Sequence, residues 1–321
     1  MLTQVLHFSP YLKSVIWGGD RIAPYKGIPP EGSSIGESWE ISAVPGHVSV
    51  VDRGPLTGKN LTELIGEYGA ELVGKDIFER FGNNFPLLIK FIDAHDDLSV
   101  QVHPDDRLAS ERHNCSGKTE LWHIIATAPD AKIYVGFKKS LTPDEYERHV
   151  NDHTIMDVIS SYDSAPGDTF FLPAGRIHAI GAGNLLAEIQ QTSDITYRIY
   201  DYDRRDSDGK PRELHTAQAR DAIDYTVQPT YKSPAHGSLL ADCPHFIAHR
   251  VTPGDTPTEL PHTRESFTIV VCLDGEADIS SENPETGLQT HHIKRGETLL
   301  FPATLRNIRA TGHSTLLSVQ A

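Results

Sequence analysis

The chain has 321 residues and a mass of 35.5 kDa, with 38% hydrophobic and 23% charged residues. That composition can bury a core, at a length suggesting about two domains. No apolar run reaches the roughly 18 residues a membrane helix needs, and 44 acidic against 29 basic residues, a net charge of −15, argues against a nucleic-acid or anionic-membrane binder while leaving room for a small anionic substrate.

Residues 1–57 are short apolar stretches broken by Gly and Pro, and read as strands and loops. Residues 60–81 carry helical spacing at Leu61, Leu64, Ile65, Tyr68, Leu72 and Phe78, with Asn60 or Thr62 as N-cap. Strands return over 86–103, and a short helix is expected over 105–113. Residues 119–138 read as a hairpin, two apolar runs around an Ala-Pro-Asp turn. Residues 141–161 are a second helical insertion, with Thr142 as cap and Pro143 at the first helical position. Strands dominate from 167, a short helix lies near 215–224, and the tail from 238 is β-rich. The expected fold is mainly β, sandwich or barrel, with two small helical insertions.

A weak internal repeat is visible. GDTFFLPAGRIH (167–178) resembles GETLLFPATLRN (296–307), and KTELWHIIAT (118–127) aligns with TRESFTIVVC (263–272), placing Glu265 opposite Glu120. Asn307 stands where the first copy has His178, so the second copy has lost metal-binding potential. The expected division is a catalytic unit of residues 1–235 and a degenerate copy of residues 236–321.

Cys115, Cys243 and Cys272 are scattered and odd in number, which argues against a disulfide framework or a thiolate metal site. The N-terminus MLTQVLHFSPYLKS shows no secretory pattern, so a reducing cytoplasm is expected. Four other residues stand out among the polar ones. Gln101 and His103 are two apart on a strand and share a face. Glu120 begins the next strand, and His178 follows the Pro-Ala-Gly turn. One amide, one carboxylate and two imidazoles form a mixed N/O set that suits Zn²⁺, with Fe²⁺, Co²⁺, Ni²⁺ and Mn²⁺ open. Taken singly, His103 or His178 reads more simply as a hydrogen-bonded core histidine. Trp17 and Trp39 read as core, Gly18 and Gly19 as a tight turn, Glu37 and Glu40 as pocket candidates, and 201–212 as a solvated turn in which Arg204 and Arg205 could attract a phosphate.

G-x5-P-x-G-x2-H at Gly167, Pro173, Gly175 and His178 resembles the second motif of the cupin superfamily. IWGG (16–19), GESWEIS (36–42), LSVQVHP (98–104), GKTELW (117–122), PAGRIHAIG (173–181) and QTSDITYRIYDYDR (191–204) together resemble type I mannose-6-phosphate isomerase in its short bacterial form. The resemblance implies two cupin domains, the second degenerate, and a Zn²⁺-dependent interconversion of mannose 6-phosphate and fructose 6-phosphate. It implies Gln101, His103, Glu120 and His178 as metal ligands. It assigns Lys118, Arg198, Glu188 and Asp194 to the catalytic site, and Ser99, Lys90 and Arg198 to substrate binding. The insertion between Lys118 and His178 is much smaller than in the long forms. Metal-bound hydroxide, Lys118, Glu188 and Asp194 all stay open as the base. A non-catalytic sugar-binding or regulatory cupin, or an isomerase of another sugar, is the competing reading. An Fe²⁺ oxygenase fits less well, because Gln101 stands where a first histidine would be. No long heptad pattern is present, so a monomer is the default.

Overall fold

The computed structural model describes residues 2–29, 34–205, 209–234, 237–262 and 265–321, and the fold is mainly β. The boundary expected between 235 and 236, and residues 206–208 of the 201–212 turn, lie outside the described residues. A six-stranded antiparallel sheet runs in the order Thr169–Leu172, Glu120–Thr127, Asn184–Gln191, Leu87–Asp93, Ile35–Ile41, Tyr11–Gly19. A five-stranded sheet runs Tyr197–Tyr200, Val100–Val102, His178–Ile180, Lys132–Phe137, Ile159–Asp163.

The two-residue period of a strand sorts side chains between the faces of these sheets. Trp122, Ile124, Ile92, Leu172 and Phe170 of the first sheet meet Val135, Ile133 and Ile180 of the second in one inner core. Val100, Val102, Ala179, Tyr197 and Ile199 point the other way, beneath the helices Asp106–His113, Pro143–Asn151, Ile155–Val158 and Thr216–Ala222. Leu121, Ile89, Phe91 and Ile189 cover the outer face of the six-stranded sheet, against residues 61–85 and a C-terminal sheet. Both faces being covered, Leu87–Asp93 and Asn184–Gln191 are buried along their whole length. Polar residues on their inner faces are therefore held away from water.

The C-terminal sheet joins ten strands among the described residues, and its path includes the N-terminal strand Leu6–Ser9, whose Leu6 pairs with Leu300. Its interior is apolar: Val270, Cys272, Ile279, Phe301, Leu305, Ile308 and Leu316.

Several local expectations are corrected. Residues 60–81 form three short helices, Leu61–Tyr68, Ala70–Val73 and Lys75–Phe81, capped first by Asn60 with Glu63. The breaks fall at Gly69 and Gly74, both at positive φ, and a Cβ on Gly74 would lie 2.2 Å from the Glu265 carbonyl oxygen. Residues 141–161 hold two helices and then turn into the edge strand Ile159–Asp163. The two runs of 119–138 are not a hairpin: Glu120–Thr127 pairs within the six-stranded sheet and Lys132–Phe137 within the five-stranded one, so their turn crosses the sandwich. Gly18 and Gly19 close a strand rather than a turn; a Cβ would meet the Ser34 carbonyl oxygen and the Asp93 carboxylate, each at 2.2 Å.

The repeat is also shifted. Leu172 pairs with Glu120, and its counterpart Phe301 pairs with Thr268. Thr268 thus occupies the place of Glu120, while Glu265 is exposed ahead of the strand. Matching the two glutamates misplaced the register by three residues. Thr263 and Arg264 of that alignment lie outside the described residues.

Candidate active site

Gln101 is paired on one side with His178 and on the other with Arg198. Residues directly opposite across a ladder share a face, so this row looks into the sandwich. The facing sheet presents a second row, in which Trp39 pairs with Lys90, Lys90 with Glu188 and Glu188 with Trp122. Between the rows lies a cavity of about 310 Å³, lined by Ser99, Gln101, Lys118, Asp194 and Arg198 among the residues singled out, with Lys90 and Glu188 on the opposite wall.

His103, Glu120 and His178 are buried behind the lining residues Gln101 and Lys118, each at most 1% exposed. Their ligand atoms lie within 4.8 Å of one another, the one such group of three among the described residues. His103 Nδ1 is 2.9 Å from the Ile195 carbonyl oxygen, and His178 Nδ1 is 2.8 Å from that of Arg176. A carbonyl only accepts, so both Nδ1 atoms carry the proton and both Nε2 atoms carry lone pairs. His178 Nε2 lies 3.2 Å from Glu120 Oε1, and His103 Nε2 lies 3.6 Å from Glu120 Oε2. Three lone-pair donors converge with no proton between them. Lys118 Nζ answers part of this, 2.9 Å from Glu120 Oε2 and 3.0 Å from His103 Nε2. That ion-pair contact lacks hydrogen-bond alignment, so neither Glu120 oxygen has a true donor.

Burial alone would raise the Glu120 pKa, but the Lys118 ammonium outweighs it and holds the group well below the ordinary carboxylate range. Burial lowers His103 and takes His178 down to about 3. A carboxylate held charged beside two imidazoles held neutral is the donor set a divalent transition metal requires. Gln101 borders the group, its amide nitrogen 3.3 Å from His178 Nε2 and its oxygen 3.4 Å from Ser99 Oγ. Half a turn of the amide presents the oxygen to the cluster and the nitrogen to Ser99.

Lys90 Nζ lies 3.1 Å from Glu188 Oε2 and 3.5 Å from Glu37 Oε2. Burial opposes the Lys90 charge, yet Glu188 and Glu37 overcome it and push the pKa up. Glu188 Oε1 also accepts from Trp122 Nε1 at 2.8 Å, so both its oxygens are engaged. Asp194 is exposed at the cavity wall, one residue from the carbonyl that orients His103. Arg198 donates through Nη1 to the Glu213 carbonyl at 2.9 Å, and its buried Nε has no partner.

Some lining groups escape sequence reasoning. Lys13, Arg212 and His215 border the cavity, and His215 braces Arg198 through a backbone hydrogen bond of 2.7 Å. No spacing marks them, because they arrive on separate segments. Trp17 and Trp39 prove to be cavity wall as well as core, and Glu37 lines the cavity too. Glu40 is instead buried against Lys26 Nζ at 2.7 Å. Arg204 is spent on Asp201 and the Asp97 carbonyl rather than on the cavity.

A family model, "Phosphomannose isomerase type I, catalytic domain", matches residues 5–129. A mannose-6-phosphate isomerase of Bacillus subtilis is 34% identical over 98% of each chain. The chain belongs to the mannose-6-phosphate isomerase family. A Streptococcus mutans mannose-6-phosphate isomerase is 32% identical over 99% of this chain and 98% of its own. The crystal structure of the mannose 6-phosphate isomerase from B. subtilis superposes with a TM-score of 0.86 at 32% identity, over the full length of both chains. A Salmonella typhimurium phosphomannose isomerase structure, 16% identical, shares the fold with a TM-score of 0.79 over 98% of this chain and 99% of its own. Membership in this family fits a His/Glu group opening on a cationic cavity.

Proposed function

We propose that this protein is a metal-dependent aldose–ketose isomerase that interconverts mannose 6-phosphate and fructose 6-phosphate. The observation that carries the reading is the buried His103, Glu120 and His178 group directly behind Gln101 and Lys118 of a cavity that Lys90 and Arg198 also line. Gln101, His103, Glu120 and His178 would hold one metal ion, for which Zn²⁺ is our choice. The absence of thiolate ligands and the borderline-soft imidazoles support it. When bound, the metal would supply Lewis acidity to the carbonyl and hydroxyl oxygens at C1 and C2, acidifying the C–H on the hydroxyl-bearing carbon next to the carbonyl.

The protein's own groups do the rest. Arg198 keeps its charge although burial and the nearby Arg212 lower its pKa from an ordinary arginine value. We assign it to the developing enediolate and the phosphate oxygens. Ser99, with its hydroxyl on the same face as Gln101, contributes to holding the phosphate end. Lys90 is fixed by Glu188 and Glu37 as a permanent cation, which suits substrate binding. Glu188 is tied to Trp122 and Lys90, a poor starting state for a base, and we place it in a positioning role. Asp194, among the described carboxylates lining the cavity, is the one without such ties, and we assign it the proton transfer. Lys118 sits against two ligand atoms and orders the site before the metal arrives.

The three cysteines are free thiols, and among the described residues no helix is long and apolar enough to cross a membrane. We infer a cytoplasmic enzyme. We also read the chain as a catalytic cupin unit ending near 235 and a C-terminal cupin from 236 that supplies no ligand. The sequence carries no long heptad pattern, and we take the chain as a monomer.

The test is conversion of mannose 6-phosphate to fructose 6-phosphate by protein stripped with chelator and reloaded with Zn²⁺. Activity lost and restored is expected. Stoichiometric metal without turnover on this substrate would overturn the assignment in favour of another sugar or of binding alone.

A further inference from the structure

A second, larger cavity lies away from the candidate site. It has a volume of about 900 Å³ and separates the outer face of the six-stranded sheet from the C-terminal sheet. Volumes of this order hold small organic ligands, which such sites grip by apolar walls and a few polar groups. Here Ala126 and Leu185 form one wall, Val251 and Leu273 the other. Arg250 enters from the strand Ile247–Val251 and crosses to the turn at Gly167, where an added Cβ would lie 3.5 Å from its Nη1. No carboxylate among the described residues lies within ion-pair distance of the Arg250 guanidinium. The near candidate, Asp168, is bound to Lys232 at 2.5 Å.

His123 adds a second polar group to the same wall. It is 2% exposed, and its Nδ1 is paired with Thr169 Oγ1 at 2.9 Å. Glu259, Asp274 and Arg295 are exposed and belong to the outer rim. A half-buried, unpaired guanidinium over apolar walls is an incomplete arrangement, since a buried charge costs free energy until a counter-charge joins it. The missing partner has one anionic head and an apolar body.

We propose that this cleft binds a small organic anion of that kind, with Arg250 pairing the head and Ala126, Leu185 and Leu273 enclosing the body. The site is separate from the isomerase cavity, although the strand that carries His123 outward carries Glu120 and Trp122 inward. None of its residues belongs to the proposed catalytic set.

The probe is 8-anilinonaphthalene-1-sulfonate, one sulfonate on an aromatic body, titrated into the intact protein by fluorescence. Octanoate and inorganic phosphate are the competitors. Saturable one-to-one binding, displaced by octanoate and not by phosphate, is expected. Arg250→Met should weaken binding by about tenfold or more, the worth of one charge-assisted hydrogen-bonded pair, with partial recovery in Arg250→Lys. Ala126→Trp should fill the cleft and abolish binding. Isomerase turnover without added anion should be the same in wild type and Arg250→Met, showing that the variant is folded. Wild-type affinity in either Arg250→Met or Ala126→Trp, absence of saturable binding, or displacement by phosphate as effective as by octanoate would overturn the proposal.

Discussion

An imidazole whose Nδ1 proton is committed to a carbonyl has one atom left to offer, and His103 and His178 both offer Nε2 toward Glu120. Removing either should therefore empty the site rather than slow it. His178→Ala should lose bound metal and activity together, measured by metal content after dialysis; full occupancy in that variant would exclude His178 as a ligand. Arg198→Ala should keep the metal and lose about 10²–10³-fold in turnover, the usual cost of deleting a group that meets developing charge; near-normal kcat would sink that role. His123 gives a separate pH signature. Burial and the nearby Arg250 lower its pKa to about 4 against 6.5 for the free side chain, Asp168 opposing. The folded state then takes up this proton less readily than the unfolded chain, so the stability it allows is complete above pH 6.5 and lost as pH falls toward 4. Urea titrations across that window should show a shallower acid limb in His123→Gln, by about 1.4 kcal/mol per pH unit; equal slopes would mean that His123 titrates normally. The candidate ligand residues were legible because a two-residue strand period and a Gly-turn-His pattern bring polar side chains to one face. Lys13, Arg212 and His215 were not, because no spacing within their own segments marks a cavity assembled from separate strands.

At the scale of elements, glycines decide what periodicity cannot. The apolar spacing of 60–81 is helical throughout, yet Gly69 and Gly74 cut it into three. Spacing reports which face is buried, not whether the axis turns. The supposed hairpin failed for a related reason. Two apolar runs around a tight turn look alike whether they pair with each other or cross between sheets, and only their long-range partners separate the cases. Gly175 shows what such a residue does at the site. It has φ of +88°, donates its N–H to the His103 carbonyl at 2.8 Å, and leads into the strand that begins with His178. A Cβ there would lie 3.0 Å from the Ala222 carbonyl oxygen. Gly175→Ala should cost about 1–3 kcal/mol of stability and weaken metal binding more than Gly46→Ala, whose added Cβ meets nothing within 4 Å despite a positive φ of 85°. Competition against a chelator measures the difference, and equal metal affinity in the two variants would mean that the turn does not set the ligand geometry.

Over the whole molecule, the mainly β class and the family were legible in composition and in ordered strings, whereas the path of the chain between sheets was not. The first strand shows why. LHFS carries no mark of its destination, and it lies in the C-terminal sheet beside residues 298–301. Leu6 is fully buried there, in a core shared with Phe267, Leu300 and Val319. Leu6→Ala should cost about 2–5 kcal/mol and raise hydrogen exchange in strands Thr268–Asn283 and Thr298–Phe301. Exchange changed only near the six-stranded sheet would contradict this coupling.

The placement of that strand also sets a timetable. Thr304 donates its hydroxyl to the Leu2 carbonyl, a contact spanning 302 residues of sequence. During synthesis the strand Leu6–Ser9 emerges long before Thr298–Phe301, the neighbour that pairs with Leu6 and His7. During that interval its apolar side chains and unpaired backbone edge are open to other nascent chains. Closing the last sheet across so long a loop is slow, so the molecule's exposure to aggregation is concentrated before that closure rather than in its finished state.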